Sequence, residues 1–181
     1  MIIRIRWRHR SGSVRVGPAG VALVWVVLAL FVSPCKGKGP EAPMDEEQIQ
    51  EIVYTYRDSS VPPQNHRSYV ITVRPEKVEI VVDSYGDVLA RKEHKITREE
   101  FNGILESFKR NGIRSAEVGT PDEGCVGGTG ERVSCSNGKK QLFSGTLDHC
   151  GGETWGNLGG GVSAFAEDIR RLVPDLERLL E

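Results

Sequence analysis

Between Glu51 and Ile96 polar and apolar residues alternate in short runs, and this period of two is the pattern of half-buried strands. Glu51–Asp58 (EIVYTYRD) sets Ile52, Tyr54 and Tyr56 on one face. Ser68–Val73 and Lys77–Asp83 are β-branched runs separated by Arg74-Pro75-Glu76, which predicts a hairpin. Val88–Ile96 follows, entered through Ser84-Tyr85-Gly86-Asp87, a turn by composition. Short antiparallel strands in series predict a β-meander, broken after its first strand by Ser59–Arg67, a loop stiffened by Pro62-Pro63.

At Thr97 the period changes to that of a helix. Thr97 with Glu100 forms a capping box, Ile96 and Phe101 suit the hydrophobic staple, and Phe101, Ile104, Leu105 and Phe108 make one apolar stripe. Asn111-Gly112 supplies a left-handed stop. The stretch from Gly119 to Gly161 holds 13 glycines and reads as loop-rich, apart from a hairpin in which Glu131–Ser136 and Lys139–Leu147 flank Asn137-Gly138. A second amphipathic helix runs through Phe165, Ile169, Leu172, Leu176 and Leu179, capped by Ser163 and kinked or divided at Pro174. The fold class expected is α+β: an antiparallel β-meander plus a β-hairpin, with two helices packed on one face of the sheet.

Before this body the pattern is of another kind. Val21–Val32 is twelve unbroken apolar residues behind Arg4, Arg6, Arg8, Arg10 and Arg15, with no acid in the first 35 residues. That order is the order of a signal peptide. Its apolar core is short for a membrane span, although Gly17–Gly20 lengthen it enough for a single uncleaved anchor. The expected organisation is therefore 1–35 signal peptide or membrane anchor, 36–48 linker (Lys36–Pro43 is KGKGPEAP), and 49–181 a single α+β domain. Val32-Ser33-Pro34-Cys35 is similar to a bacterial lipobox at Val32, Ser33 and Cys35 and departs from it at Pro34, so Cys35 is the candidate lipidation site. Removing the five arginines from 24 basic residues leaves 19 against 25 acidic, a net charge of −6 for the rest of the chain. Such a body repels phosphate backbones and excludes nucleic acid as a main partner. The partners left are the membrane, through the N-terminal segment or a lipid, and a protein or small ligand.

An exported domain keeps disulfides. Cys125 and Cys150 bracket the hairpin in glycine-rich sequence while Cys135 falls inside a strand, so Cys125–Cys150 is the favoured bridge. It closes a loop of roughly 25 residues, worth about 3 kcal/mol in the chain-entropy account. His149, Cys150, Cys125 and Asp148 are metal-ligand types too, but zinc sites use paired ligands at short spacing and none occurs here. No metal or cofactor is expected.

Asp58-Ser59-Ser60 and His66-Arg67-Ser68 bracket a rigid loop with the residue types of nucleophilic catalysis. No nucleophile elbow accompanies them. The plainer reading is a loop tied down by Ser and Asp bonding its own amides. Trp155, beside Glu153 and Asn157, is a candidate binding anchor, the alternative being a cover for the core. His66 and Arg67 are the other candidate binding residues, and His94 is expected in solvent.

Asp58–Tyr69 (DSSVPPQNHRSY), Asp83–Val88 (DSYGDV), Gly124–Gly128 (GCVGG) and His149–Leu158 (HCGGETWGNL) together resemble a group of uncharacterised bacterial exported proteins, often lipoproteins. The resemblance implies a cell-surface or periplasmic location and the Cys125–Cys150 pairing; it implies no catalytic residue. The function expected is a membrane-tethered, non-enzymatic binding or envelope accessory domain. The alternative is a secreted hydrolase using Asp58, Ser59 or Ser60, and His66.

Overall fold

The structure, a computed structural model, describes residues 48–120 and 127–181, all within the unit Pro43–Glu181. The basic head, Cys35, the linker up to residue 47 and Cys125 lie outside the described residues.

The alternation between Glu51 and Ile96 becomes β1 (Glu51–Arg57), β2 (Ser68–Arg74), β3 (Lys77–Ser84) and β4 (Asp87–Lys95). Then come α1 (Arg98–Arg110), β5 (Arg114–Val118), β6 (Thr129–Ser136), β7 (Gln141–Cys150), β8 (Glu153–Gly159), α2 (Val162–Arg170) and α3 (Leu176–Leu179). The eight strands form one antiparallel sheet in the order β4-β3-β2-β1-β6-β7-β8-β5. Two meanders, β1 to β4 and β6 to β8, thus join where β1 pairs with β6.

Directly opposed residues share a face, and the register makes one continuous apolar set. Ile52 faces Val73 and Cys135, Tyr54 faces Ile71 and Val133, and Ile80 faces Ile71 across the next pair. All of these are buried. At about 1.5–3 kcal/mol for each large apolar side chain removed from water, this register fixes the pairing: a slip of one residue would turn the whole set outward. The alternate set is polar, with Arg74 between Glu51 at 2.5 Å and Glu79 at 4.0 Å, and Arg91 3.1 Å from Glu79.

α1 begins as its sequence dictates. Glu100 N donates to Thr97 Oγ1 at 3.2 Å and Thr97 N donates to the Glu100 carboxylate at 2.7 Å, the reciprocal capping box. It ends in a Schellman motif, with Ile113 N donating to Phe108 O and Gly112 N to Lys109 O around Gly112 at φ 59°. Phe108 meets Phe143 of β7 and Phe165 of α2 edge-on, at 5.7 and 5.6 Å between ring centres.

Several expectations need correction. Gly151–Gly161 is not mainly turn: it contains β8, which carries Trp155. β5 had no period-two pattern to announce it and exists because β8 offers it an edge. Asn137-Gly138 lies in a longer connection, Asn137 to Lys140, and Asn137 Oδ1 accepts from Lys139 N and Lys140 N. α2 is capped at Gly161 with no side-chain bond, so Ser163 is not its cap. The C-terminal run is divided by Pro174 into α2 and α3, giving three helices among the described residues where two were expected. His94 is only partly exposed, its Nε2 buried 3.0 Å from Asp175 Oδ1 but outside hydrogen-bond alignment.

Candidate functional site

Antiparallel pairing brings the end of β1, the start of β2, the β3–β4 turn, the start of β6 and the β7–β8 hairpin to one end of the sheet. A cavity of about 670 Å³ opens there, lined by Asp58, His66, Asp83, Tyr85, Asp148 and Trp155 among others. The volume lies within the range of small-molecule sites.

The loop from Asp58 to Ser68 is held by its own polar groups. Asp58 Oδ1 accepts from Ser59 N at 2.7 Å and Oδ2 from Arg67 N at 2.9 Å, while Asp58 N donates to Ser68 Oγ at 3.0 Å. Asn65 N and His66 N close back on Pro62 O and Pro63 O, and Ser84 Oγ donates to Pro63 O at 2.8 Å. A carboxylate cross-bracing two amides across nine residues is the tied loop of the plainer reading.

That bracing delivers His66 into the cavity wall. The side chain is 4% exposed, its Nε2 lies 3.3 Å from Ser68 Oγ, and its Nδ1 is buried without a hydrogen-bond partner. Tyr85 stacks on the imidazole at 3.9 Å and 22° and donates its hydroxyl to Val61 O at 2.5 Å. His66 thus bonds Ser68, and neither Ser59 nor Ser60. The Asp58 carboxylate engages the loop amides and the Ser59 hydroxyl (3.4 Å), and makes no bond to the imidazole. Ser60 lines the cavity with no bond to His66.

Trp155 stands opposite Asp148 in the β7–β8 register and is not among the core residues. Asp148 pairs with Arg57 at 2.5 Å. Arg67 is not brought to this cavity: it donates to His66 O at 2.8 Å and to Glu181 O at 3.0 Å, and lines a separate depression with Arg170 and Leu176. Of the three expected binding residues, His66 and Trp155 converge and Arg67 lies apart.

Sequence reasoning passed over a partly buried polar chain beside the cavity. Arg170 of α2 donates from Nε to Tyr69 Oη at 2.8 Å and from Nη2 to Tyr54 Oη at 2.9 Å. Tyr54 Oη donates to Glu131 Oε1 at 2.6 Å, and Glu131 Oε2 lies 3.0 Å from His149 Nε2. His149 Nδ1 is 3.2 Å from Thr154 Oγ1. Burial, then the bond to Glu131, raises the Tyr54 phenol far above its ordinary value, so it stays a donor. The available signal was Glu131 itself, an acid in phase with inward-facing Val133 and Cys135.

Cys135 is a free, buried thiol that burial pushes up to about 12. Cys150 ends β7, while Cys125 lies outside the described residues. Among the described residues no three His, Cys, Asp or Glu side chains group to hold a metal ion. Nor is any helix among them long and apolar enough to cross a membrane. Comparison with protein-family models, curated proteins and solved structures finds no match.

Proposed function

We propose that the chain is an exported or membrane-tethered, non-enzymatic domain that binds a small polar ligand in the cavity at the end of its sheet. The observation that carries this reading is the meeting of His66 and Trp155, 89 positions apart in the sequence, on one cavity whose acids are largely engaged by internal partners. A concave site with aromatic walls and a few aimed polar groups is built for recognition. Export or anchoring rests on the apolar segment behind the arginines, and the resemblance to exported bacterial proteins supports a surface or periplasmic location. Cys125 is the partner proposed for Cys150. The hydrolase reading is left without support from its carboxylate, which the loop amides hold.

The helices complete the fold by covering one sheet face. Supporting this, Phe108 reaches Phe143, Arg170 reaches Tyr54 and Tyr69, and Asp175 reaches Lys92. By register all four strand residues share the face of the apolar set of Ile52, Ile71 and Cys135.

The experiment is Trp155→Ala in the full chain in detergent, followed by thermal unfolding and by calorimetric titration with maltose, spermidine and inorganic phosphate. An intact fold with binding of a probe abolished is expected. Loss of the fold would make Trp155 a packing residue and sink the reading. Intact mass of the membrane-extracted protein tests lipid on Cys35.

A further inference from the structure

The turn joining β3 to β4 has two central residues, Tyr85 at φ 54° and Gly86 at φ 94°. Positive φ at both positions defines a type I′ hairpin, whose first position favours Asn, Asp or Gly. Tyr85 is the one non-glycine residue with positive φ among the described residues, and a bulky side chain there is strained. What the strain secures is visible: the ring covers His66 at 3.9 Å, and the hydroxyl fastens it to Val61 O. Tyr85 is nevertheless 57% exposed. It lies over the imidazole without being packed into the core.

Beneath it the hydrogen-bond arithmetic of His66 is closed except at one atom. Ser68 Oγ already accepts from Asp58 N, and among the described residues the other hydrogen-bond partner of this hydroxyl is His66 Nε2 at 3.3 Å, in a direction set by the histidine tautomer. A hydroxyl has one proton to give. A hydroxyl that donates to Nε2 makes Nε2 the acceptor and leaves the single proton of a neutral imidazole for Nδ1. Nδ1 is buried and has no hydrogen-bond partner. A buried donor left unmatched is costly, and such groups in folded proteins call for a reason.

We infer that His66 Nδ1–H is the anchoring donor for an uncharged polyhydroxy ligand, a neutral saccharide, and that Tyr85 is the lid which lifts to admit it. This rests on the binding reading of the cavity and adds the ligand class and the gate. The remaining walls select the class. Asp58, Asp83 and Asp148 against Arg57 repel an anion. A cation finds Asp148 already paired with Arg57, and Asp58 already occupied by two amides. A sugar hydroxyl both accepts and donates: it takes the proton of Nδ1–H and gives its own to the Asp83 oxygen left over after Gly86 N occupies Oδ1. Trp155 supplies an apolar face for the C–H side of the ring.

The test starts without ligand. Long-range proton–nitrogen NMR of the histidines in the full chain, in detergent, is expected to show His66 protonated at Nδ1 and acting as acceptor at Nε2. A proton on Nε2 overturns the anchor. Titration then uses maltose, N,N′-diacetylchitobiose, spermidine and inorganic phosphate. A shift of the His66 Nδ1–H signal with either sugar is expected. Tyr85→Asn suits the turn and keeps the fold, and it should speed sugar association about threefold or more by removing the closed population; an unchanged rate overturns the lid. Binding of spermidine or phosphate alone, abolished by Trp155→Ala, overturns the saccharide class and leaves the binding domain standing. Silence of His66 and Trp155 to all four probes overturns both.

Discussion

At the scale of single residues, the clearest commitment is Tyr54. Its hydroxyl is shared between Glu131 and Arg170, so that a buried acid and phenol are satisfied together with a half-buried guanidinium. Tyr54→Phe keeps the ring packing but leaves Glu131 short of a donor and Arg170 short of an acceptor. Unpaired buried groups cost about 1–3 kcal/mol, and a fall of that order in unfolding free energy by urea titration is expected. An unchanged midpoint would show that water replaces the hydroxyl. Cys135 offers a second reading at this scale. With its thiol pushed up to about 12 and buried, it should resist a thiol reagent in the native protein and react only after unfolding. The identity of these residues was in the sequence, but their meaning was not. His66, Asp58 and Trp155 could be picked out by chemistry, whereas Glu131 stood out solely as an acid in the inward phase of a strand. Its partners Tyr54 and Arg170 sit 77 and 39 positions away, and no local pattern links them.

At the scale of elements, what was legible was what local physics decides. The capping box at Thr97, the stop at Gly112 and the alternation of β1 to β4 are each written within a few residues of where they act. β8 is the opposite case. Glu153–Gly159 (ETWGNLG) has no β-branched alternation, and it becomes a strand because β7 and β5 pair with its two sides. Even there the ladder is irregular: Asn157 Oδ1, a side-chain oxygen, accepts from Thr146 N at 2.8 Å. Gly156 makes this possible. At φ 147° it lets the backbone pass so close to β7 that a methyl group would come within 2.1 Å of Thr146 O. Gly156→Ala must therefore move backbone, and a loss on the order of 1–3 kcal/mol is expected in thermal unfolding. Because Trp155 is the neighbouring residue, its indole resonance should shift as well. If the alanine variant unfolded like the parent, with the indole unmoved, the close β7–β8 approach would be refuted.

At the scale of the whole molecule, the two edges of the sheet matter most, because an open edge invites pairing with other chains. β4 is one edge, and its Arg91, Lys92, Glu93 and Lys95 discourage such pairing. It is also fastened to the C-terminal segment by Asp175, which engages Lys92, bonds Arg178 at 2.6 Å and lies beside His94. The bonds from Lys92 first, then Arg178, hold the Asp175 carboxyl well below its ordinary value of 3.8. A carboxyl whose pKa is lowered by folding binds fewer protons in the native state than in the unfolded one. Its contribution to stability is therefore complete above the ordinary value and lost as pH falls through the lowered one. Asp175→Asn should lower the unfolding temperature at neutral pH. The gap to the parent should narrow below the ordinary carboxylate range, because there the unfolded parent takes up a proton that the folded parent still refuses. Scanning calorimetry of both proteins between roughly pH 7 and pH 2 reads this directly. A gap that stays constant across the range would mean that Asp175 fastens the edge by shape alone, and that its charge contributes nothing.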